Sequence, residues 1–234
     1  MNNSSTVGNP TAEKIAPYVL LGMTAVTGLV DAVSFLSLGR VFAANMTGNV
    51  VILAFATARI PGLSIALSLT SFLSFLVGAI VGGRIMARAG ADSQIRFAAH
   101  AFLLEVVFLL AASFWAAGYR GDLLENSFQP FVLIVLTLAM GTRNAAVRKL
   151  AIPDLTTTVL TLTITGIAAD FSFANGINPN LAKRVASVLA MFLGAALGAV
   201  VIHYSVSAAL WLATAISAVC SAALFRSVRT SEKL

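Results

Sequence analysis

Asp31 is a carboxylate inside an apolar run, with LLGMTAVTGLV before it and AVSFLSLG after it. Placing an acid near the centre of a hydrocarbon layer costs at least about 2.5 kcal/mol, so it must be paired, protonated or turned to a cavity. It could couple transport to protons or orient a bound solute; it could equally cap an interrupted helix. Soon after comes RVFAANMTGNV, where Asn45, Thr47, Gly48 and Asn49 gather donors, acceptors and backbone freedom. Glycine tolerates unwound backbone, and freed N–H and C=O groups can line a polar site where lipid offers no partner. A half-helix starting near Asn45 or Thr47 would aim its positive end inward and favour an anionic ligand group. The same side chains could instead satisfy one another.

The second half carries GTRNAAVRKLAIPDLTTTVLTLT. Asn144 is placed to face the same cavity as Asp31. Thr156, Thr157, Thr158 and Thr161 could line it too, or bond back to helix carbonyls. Pro153-Asp154 reads as a helix start, and Arg143, Arg148 and Lys149 as a cytoplasmic basic edge. Glu105, in HAFLLEVVFLLAASF, calls for a polar partner or carries protons. Asp170 caps or pairs near a block end, and His100 and His203 fall at interfaces. Histidines and carboxylates do not cluster at ligand spacing, so no metal site is expected. Nucleophile elbows, HExxH, P-loop and dinucleotide glycine patterns are absent from the sequence, so neither catalysis nor a cofactor is indicated. Cys220 is the single cysteine and reads as a small packing residue.

The elements that must hold these groups follow from composition. Of 234 residues, 59% are hydrophobic and 10% charged, with a mean hydropathy of +0.93; soluble domains carry about 25% charged residues. The apolar residues fall in blocks near the ~20 residues a helix needs to cross a bilayer, and they lack the period-two alternation of a membrane barrel. The fold class is all-α, a polytopic transmembrane helix bundle. Eight blocks are visible, at about 17–38, 44–58, 63–83, 97–118, 130–142, 155–169, 185–202 and 205–225, of which 44–58 and 155–169 are short and polar.

If the two short blocks re-enter or interrupt rather than cross, six net crossings remain. Lys14, Arg84, Arg88, Arg96, the cations from Arg143 to Lys149, Lys183, Arg184 and the C-terminal cations then share one side, leaving Arg40, Arg59 and Arg120 on the other. That is the bias of a bacterial inner-membrane protein with both termini in the cytoplasm. It also accounts for the net charge of +6 without nucleic acid. The expected organisation is a polar tail (1–16), a first membrane repeat (17–118), a connecting loop (119–129), a second repeat (130–225) and a cytoplasmic tail (226–234).

The halves echo each other. GLVDA matches GTRNA, Thr47-Gly48-Asn49 matches Thr161-Leu162-Thr163, and FLVGAIVGG matches MFLGAALGA, in the same order. Three crossings per half would invert the second repeat relative to the first, a transporter architecture with its site near the midplane. Gly78 with Gly82, and Gly194 with Gly198, are small residues four apart that let two helices approach closely, within one chain or across a homo-oligomer.

At GLVDAVSFLSLGRVFAANMTGNVV and GTRNAAVRKLAIPDLTTTVLT the chain resembles the YoaK-like bacterial membrane proteins, a family of unknown function. The resemblance runs over about residues 17–225 and is carried by Asp31-Ala32, Phe42, Asn45, Thr47, Gly48 and Asn49, then by Gly141, Asn144-Ala145 and Thr156-Thr157. Leu162 departs from it, standing where a glycine is common. The resemblance implies a plasma-membrane protein of about six spans and names no substrate. The expectation is a small-solute secondary transporter, with a passive channel or a non-transporting subunit as alternatives, and the lipid bilayer and an unknown small solute as partners.

Overall fold

The computed structural model describes residues 10–90, 93–118, 128–151, 160–170 and 180–231. Among these the chain forms eight α-helices: α1 (Pro10–Ser37), α2 (Met46–Thr57), α3 (Ile65–Ala87), α4 (Gln94–Gly118), α5 (Phe128–Leu150), α6 (Leu160–Ala169), α7 (Leu181–Ile202) and α8 (Val206–Ser231). Six of them are long and apolar enough to cross a membrane. The other two, α2 and α6, would be about 18 and 15 Å long at 1.5 Å per residue, short of a ~30 Å hydrocarbon core. The protein is a polytopic transmembrane bundle.

Most helix ends differ from their sequence blocks by a few residues, α8 by running on to Ser231 into the stretch expected to be a tail, and two differ most. α1 begins at Pro10, inside the stretch expected to be a polar tail, and α5 runs on past the block end at 142 to Leu150. The second difference has a clear cause: the cation that ends the apolar block, Arg143, is itself buried, so it does not mark an interface.

α1, α4, α5 and α8 form the centre. Val26, Leu29 and Val33 of α1 pack with Leu109 of α4, Leu136 of α5 and Leu210 of α8. Towards the other end, Leu20 and Met23 pack with Phe102, Val147 and Leu224. α3 and α7 lie outside this group and bury only 22% and 17% of their most apolar stretches, against 67% for α1 and α5. Phe192, Leu193 and Val200 of α7 and Leu73, Val77 and Ile80 of α3 face outward, as lipid permits and water would not. At the end where α4 finishes and α5 and α8 start, Trp115 meets Phe131 at 4.4 Å and Phe114 meets Trp211 at 4.9 Å between ring centroids. Such aromatic groupings favour the membrane–water boundary. Inside the helices, Thr24, Thr27, Ser113, Thr137 and Thr214 each donate to the carbonyl four residues back, which satisfies hydroxyls that have no water.

The neighbours follow one rule of exchange. α3 packs on α5 as α7 packs on α1; α4 packs on α5 as α8 packs on α1; α2 lies on α3 as α6 lies on α7; and α4 meets α8. The closest approaches are made at glycines. A methyl group at Gly78 or Gly82 would collide with the carbonyl of Leu138 or Thr142 on α5, and one at Gly141 with the carbonyl of Phe75 on α3. Likewise a methyl at Gly194 would strike the Ala25 carbonyl, one at Gly198 would crowd that of Leu29 at 3.1 Å, and one at Gly28 would strike that of Met191. All four glycines expected to mediate helix packing lie against helices of the same chain.

Candidate functional site

Two polar groupings lie in the bundle, and α1 contributes to both. The first joins α1 to α2. After Ser37 the chain turns through Gly39 and Arg40, whose φ values of 95° and 57° are left-handed, and returns to start α2 at Met46. The amides of Ala43 and Ala44 would be orphaned here, buried as these residues are. The Asp31 carboxylate accepts both, at 2.9 and 2.7 Å, and Ser34 Oγ also accepts Ala43 N–H at 3.0 Å. A carboxyl group therefore stands before the start of this short helix, and it is the chain's own Asp31.

Asn49 clamps the same return. Its Oδ1 accepts Phe42 N–H at 2.8 Å, and its Nδ2 donates to Phe42 O at 2.6 Å and to Ser71 Oγ of α3 at 2.8 Å. An amide is suited to this work, because one end accepts while the other donates. Asn45 is the N-cap of α2 and accepts Gly48 N–H at 3.2 Å. Gly48 is required to be small, since a Cβ would lie 2.9 Å from the Phe42 ring. Thr47 is exposed. The structure thus brings Asp31, Asn45, Gly48 and Asn49 together around one turn, with Thr47 on its outside.

The second grouping lies deeper. Arg143 of α5 is fully buried, as is Glu105 of α4, and the two meet at 2.8 Å. Arg143 also donates to Thr27 Oγ1 of α1 and lies 3.0 Å from Met140 Sδ and 3.9 Å from Met23 Sδ. Ser217 of α8 approaches Glu105 and Met23 from the fourth side. All four central helices therefore send a polar side chain to one point. Of this pair, Arg143 Nε has no hydrogen-bond partner among the described residues. This placement corrects the sequence reading of Arg143 as part of a cytoplasmic basic edge; Arg148 and Lys149 are exposed.

The two groupings are connected. Thr27 is one helical turn before Asp31 on the same face of α1, and Arg143 lies within electrostatic reach of the Asp31 carboxyl. A polar ladder thus runs from Glu105 through Arg143, Thr27 and Asp31 to the start of α2. The sequence reading missed Thr27, Ser34 and Ser71. A signal for the first two was present: Thr24, Thr27, Asp31 and Ser34 recur at three- and four-residue steps, one stripe along a helix.

In the second half the correspondence is looser. Asn144 is half-buried beside Arg143, and Thr161 is exposed on α6, where Thr163 is the buried threonine. Thr157, with Pro153, Asp154, Thr156 and Thr158, lies outside the described residues. Asp170 pairs with Arg184 of α7 at 2.6 Å on a partly exposed surface. His100 and His203 are exposed, each with Nδ1 at the carbonyl four residues earlier.

Comparison with known proteins adds a family. A model of a family described as "Protein of unknown function (DUF1275)" matches residues 19–223. The chain is 34% identical over 155 residues to the UPF0700 transmembrane protein YoaK of Bacillus subtilis (strain 168), covering 65% of this chain and 65% of that relative's length. No solved structure matches the chain. With a match over nearly the whole bundle and six spans in the structure, the chain is a multi-pass membrane protein that belongs to the DUF1275 family.

Proposed function

We propose that this protein is a proton-coupled secondary transporter of a small solute, built from two inverted repeats, with both termini in the cytoplasm. The observation that carries the reading is the Glu105–Arg143 pair, fully buried where α1, α4, α5 and α8 converge. Ionisable groups inside a membrane bundle are costly and by default mark a substrate or proton path. A purely structural pair would be expected to satisfy all its polar atoms, whereas Arg143 Nε has no partner among the described residues.

In this reading a proton on Glu105 loosens its hold on Arg143, which then accepts an anionic group of the solute. Asp31 orients the start of α2 next to that site. Asn45, Gly48 and Asn49 hold the turn, and Thr47, Asn144 and Thr161 lie along the route. The exchange rule among helix neighbours supports two repeats, because it pairs α1 to α4 with α5 to α8 in order. Three long helices in each set make the second the inverse of the first. A non-transporting subunit that binds a partner through its glycine faces has less support, since those faces are occupied within the chain.

The test is flux into proteoliposomes containing a pH-sensitive dye, screened across small solutes. The wild type should give saturable, solute-dependent proton movement. The double variant Glu105→Gln/Arg143→Gln should fold, elute as the wild type does and give none. Unchanged coupled flux in that variant would sink the proposal. Flux without saturation or proton movement would indicate a passive channel instead.

A further inference from the structure

A groove of about 340 Å³ runs along the outside of the α4–α8 pair. Its walls are Leu103 and Val106 of α4 and Ala218, Ala222 and Phe225 of α8, and Arg229 stands at one end. The small side chains at 218 and 222, one helical turn apart, open the space between the two helices. The groove is therefore written into α8 and does not arise from loose packing. From Ala218 to Arg229 the helix rises about 16 Å, close to half of a ~30 Å hydrocarbon core. An apolar groove one leaflet long that finishes at an exposed arginine has the length and polarity to hold one acyl chain of a phospholipid with its phosphate at the arginine.

Ser221 also lines the groove and is 2% exposed. The charge at one end of the groove points to the occupant's head. At the Arg229 end, His100 of α4 packs edge-on against Phe225 at 5.4 Å, so the α4 N-terminus with Arg96 lies at the same end as the exposed Arg226 and Arg229. Arg229 is exposed there, and a guanidinium at the end of an apolar groove selects an anionic headgroup. Basic side chains between membrane helices at this depth commonly meet acidic lipid headgroups.

We propose that the α4–α8 groove is a binding site for one anionic phospholipid, its acyl chain between Leu103 and Ala222 and its phosphate on Arg229. The site is separate from the Glu105–Arg143 centre and does not depend on transport.

Purified protein in mixed micelles is given equal amounts of phosphatidylglycerol and phosphatidylcholine with the same acyl chains, and retained lipid is read by native mass spectrometry. The wild type should retain one lipid with about fivefold preference for phosphatidylglycerol, the discrimination of one basic residue near an acidic surface. Arg229→Gln should bring the ratio close to one. Ala222→Trp, which fills the groove from an exposed position, should remove the retained lipid of either kind. Arg84→Gln, an exposed cation on α3 away from the groove, should leave the preference intact. An unchanged ratio in Arg229→Gln, or unchanged retention in Ala222→Trp, would overturn the proposal. So would displacement of the lipid by millimolar inorganic phosphate, which would make this a free-anion site. A dimer lost in Ala222→Trp would assign the groove to a second copy of the chain and also refute it.

Discussion

Arg143 Nη1 lies 2.8 Å from Glu105 Oε1, and neither side chain touches the surface. Removing one member of such a pair leaves a charge with no counter-ion in a medium that cannot solvate it. Glu105→Ala or Arg143→Ala should each cost about 3–5 kcal/mol. Replacing both with apolar groups of similar volume, as in Glu105→Leu/Arg143→Met, should restore most of that stability while abolishing flux. Denaturation midpoints of the three variants in detergent give the check. A double variant no better than the singles would mean that the pair is held by more than its own attraction.

Asp31 should matter through the amides it accepts. Asp31→Ala leaves the buried N–H groups of Ala43 and Ala44 short of an acceptor, at about 1–3 kcal/mol for each buried unsatisfied group; Ser34 softens the loss at Ala43. Asp31→Asn keeps an acceptor oxygen and should cost less. Hydrogen exchange at Ala43 and Ala44 should rise strongly in the alanine variant and modestly in the asparagine one. Equal protection in all three would show that the carboxylate does not hold this turn.

Asn49 offers a sharper ordering. Asn49→Asp puts an acceptor where Nδ2 now donates to Phe42 O and Ser71 Oγ, so it should destabilise more than Asn49→Ala. Ser71→Ala removes only one arm and should be mildest. Melting temperatures that place Asn49→Asp above Asn49→Ala would contradict the assigned direction of these bonds.

The glycines divide into two groups. Alanine at Gly28, Gly78, Gly141 or Gly194 meets backbone of the facing helix and should cost about 1–3 kcal/mol through overpacking. Gly83→Ala meets nothing within 4 Å and should be neutral or stabilising by about 0.4–1 kcal/mol. Gly28 and Gly141 hold equivalent places in the exchange of helices, so their costs should match within a few tenths of a kcal/mol. A large difference between them would count against the repeat.

Orientation is open to labelling. In a Cys220→Ser background, Ile60→Cys, beyond α2, should react with an impermeant maleimide on intact cells. Gly90→Cys, between α3 and α4, should react only after permeabilisation. The reverse pattern would place both termini outside the cytoplasm.

Much of this architecture was legible because lipid punishes polar backbone and rewards length. The short blocks at 44–58 and 155–169 closely anticipate α2 and contain α6, and the paired small residues mark the tightest helix contacts. Asp31, Asn45, Gly48 and Asn49 were legible as a group, because each is out of place in an apolar run. What they do was not. Whether a carboxylate meets a ligand or the chain's own amides depends on how the backbone returns from Gly39 to Met46. Arg143 was misread for a related reason. It opens a basic run at a helix end, and the partner that draws it inward, Glu105, lies on another helix. A buried acid on α4 required a cation somewhere, but hydropathy along one helix cannot say which.

The glycine contacts also set an order for building the protein. Gly28 of α1 is complete only when Met191 and Ala195 of α7 arrive, and at about 5–20 residues per second the ribosome needs roughly 10–30 s to deliver them. Until then the face of α1 around Ala25 and Gly28 stands in the bilayer, or beside the insertion machinery, without the helix that covers it. Neither half can mature alone. The chain is in effect stitched shut by its last third, and a truncation that spares every residue of the polar ladder should still be degraded.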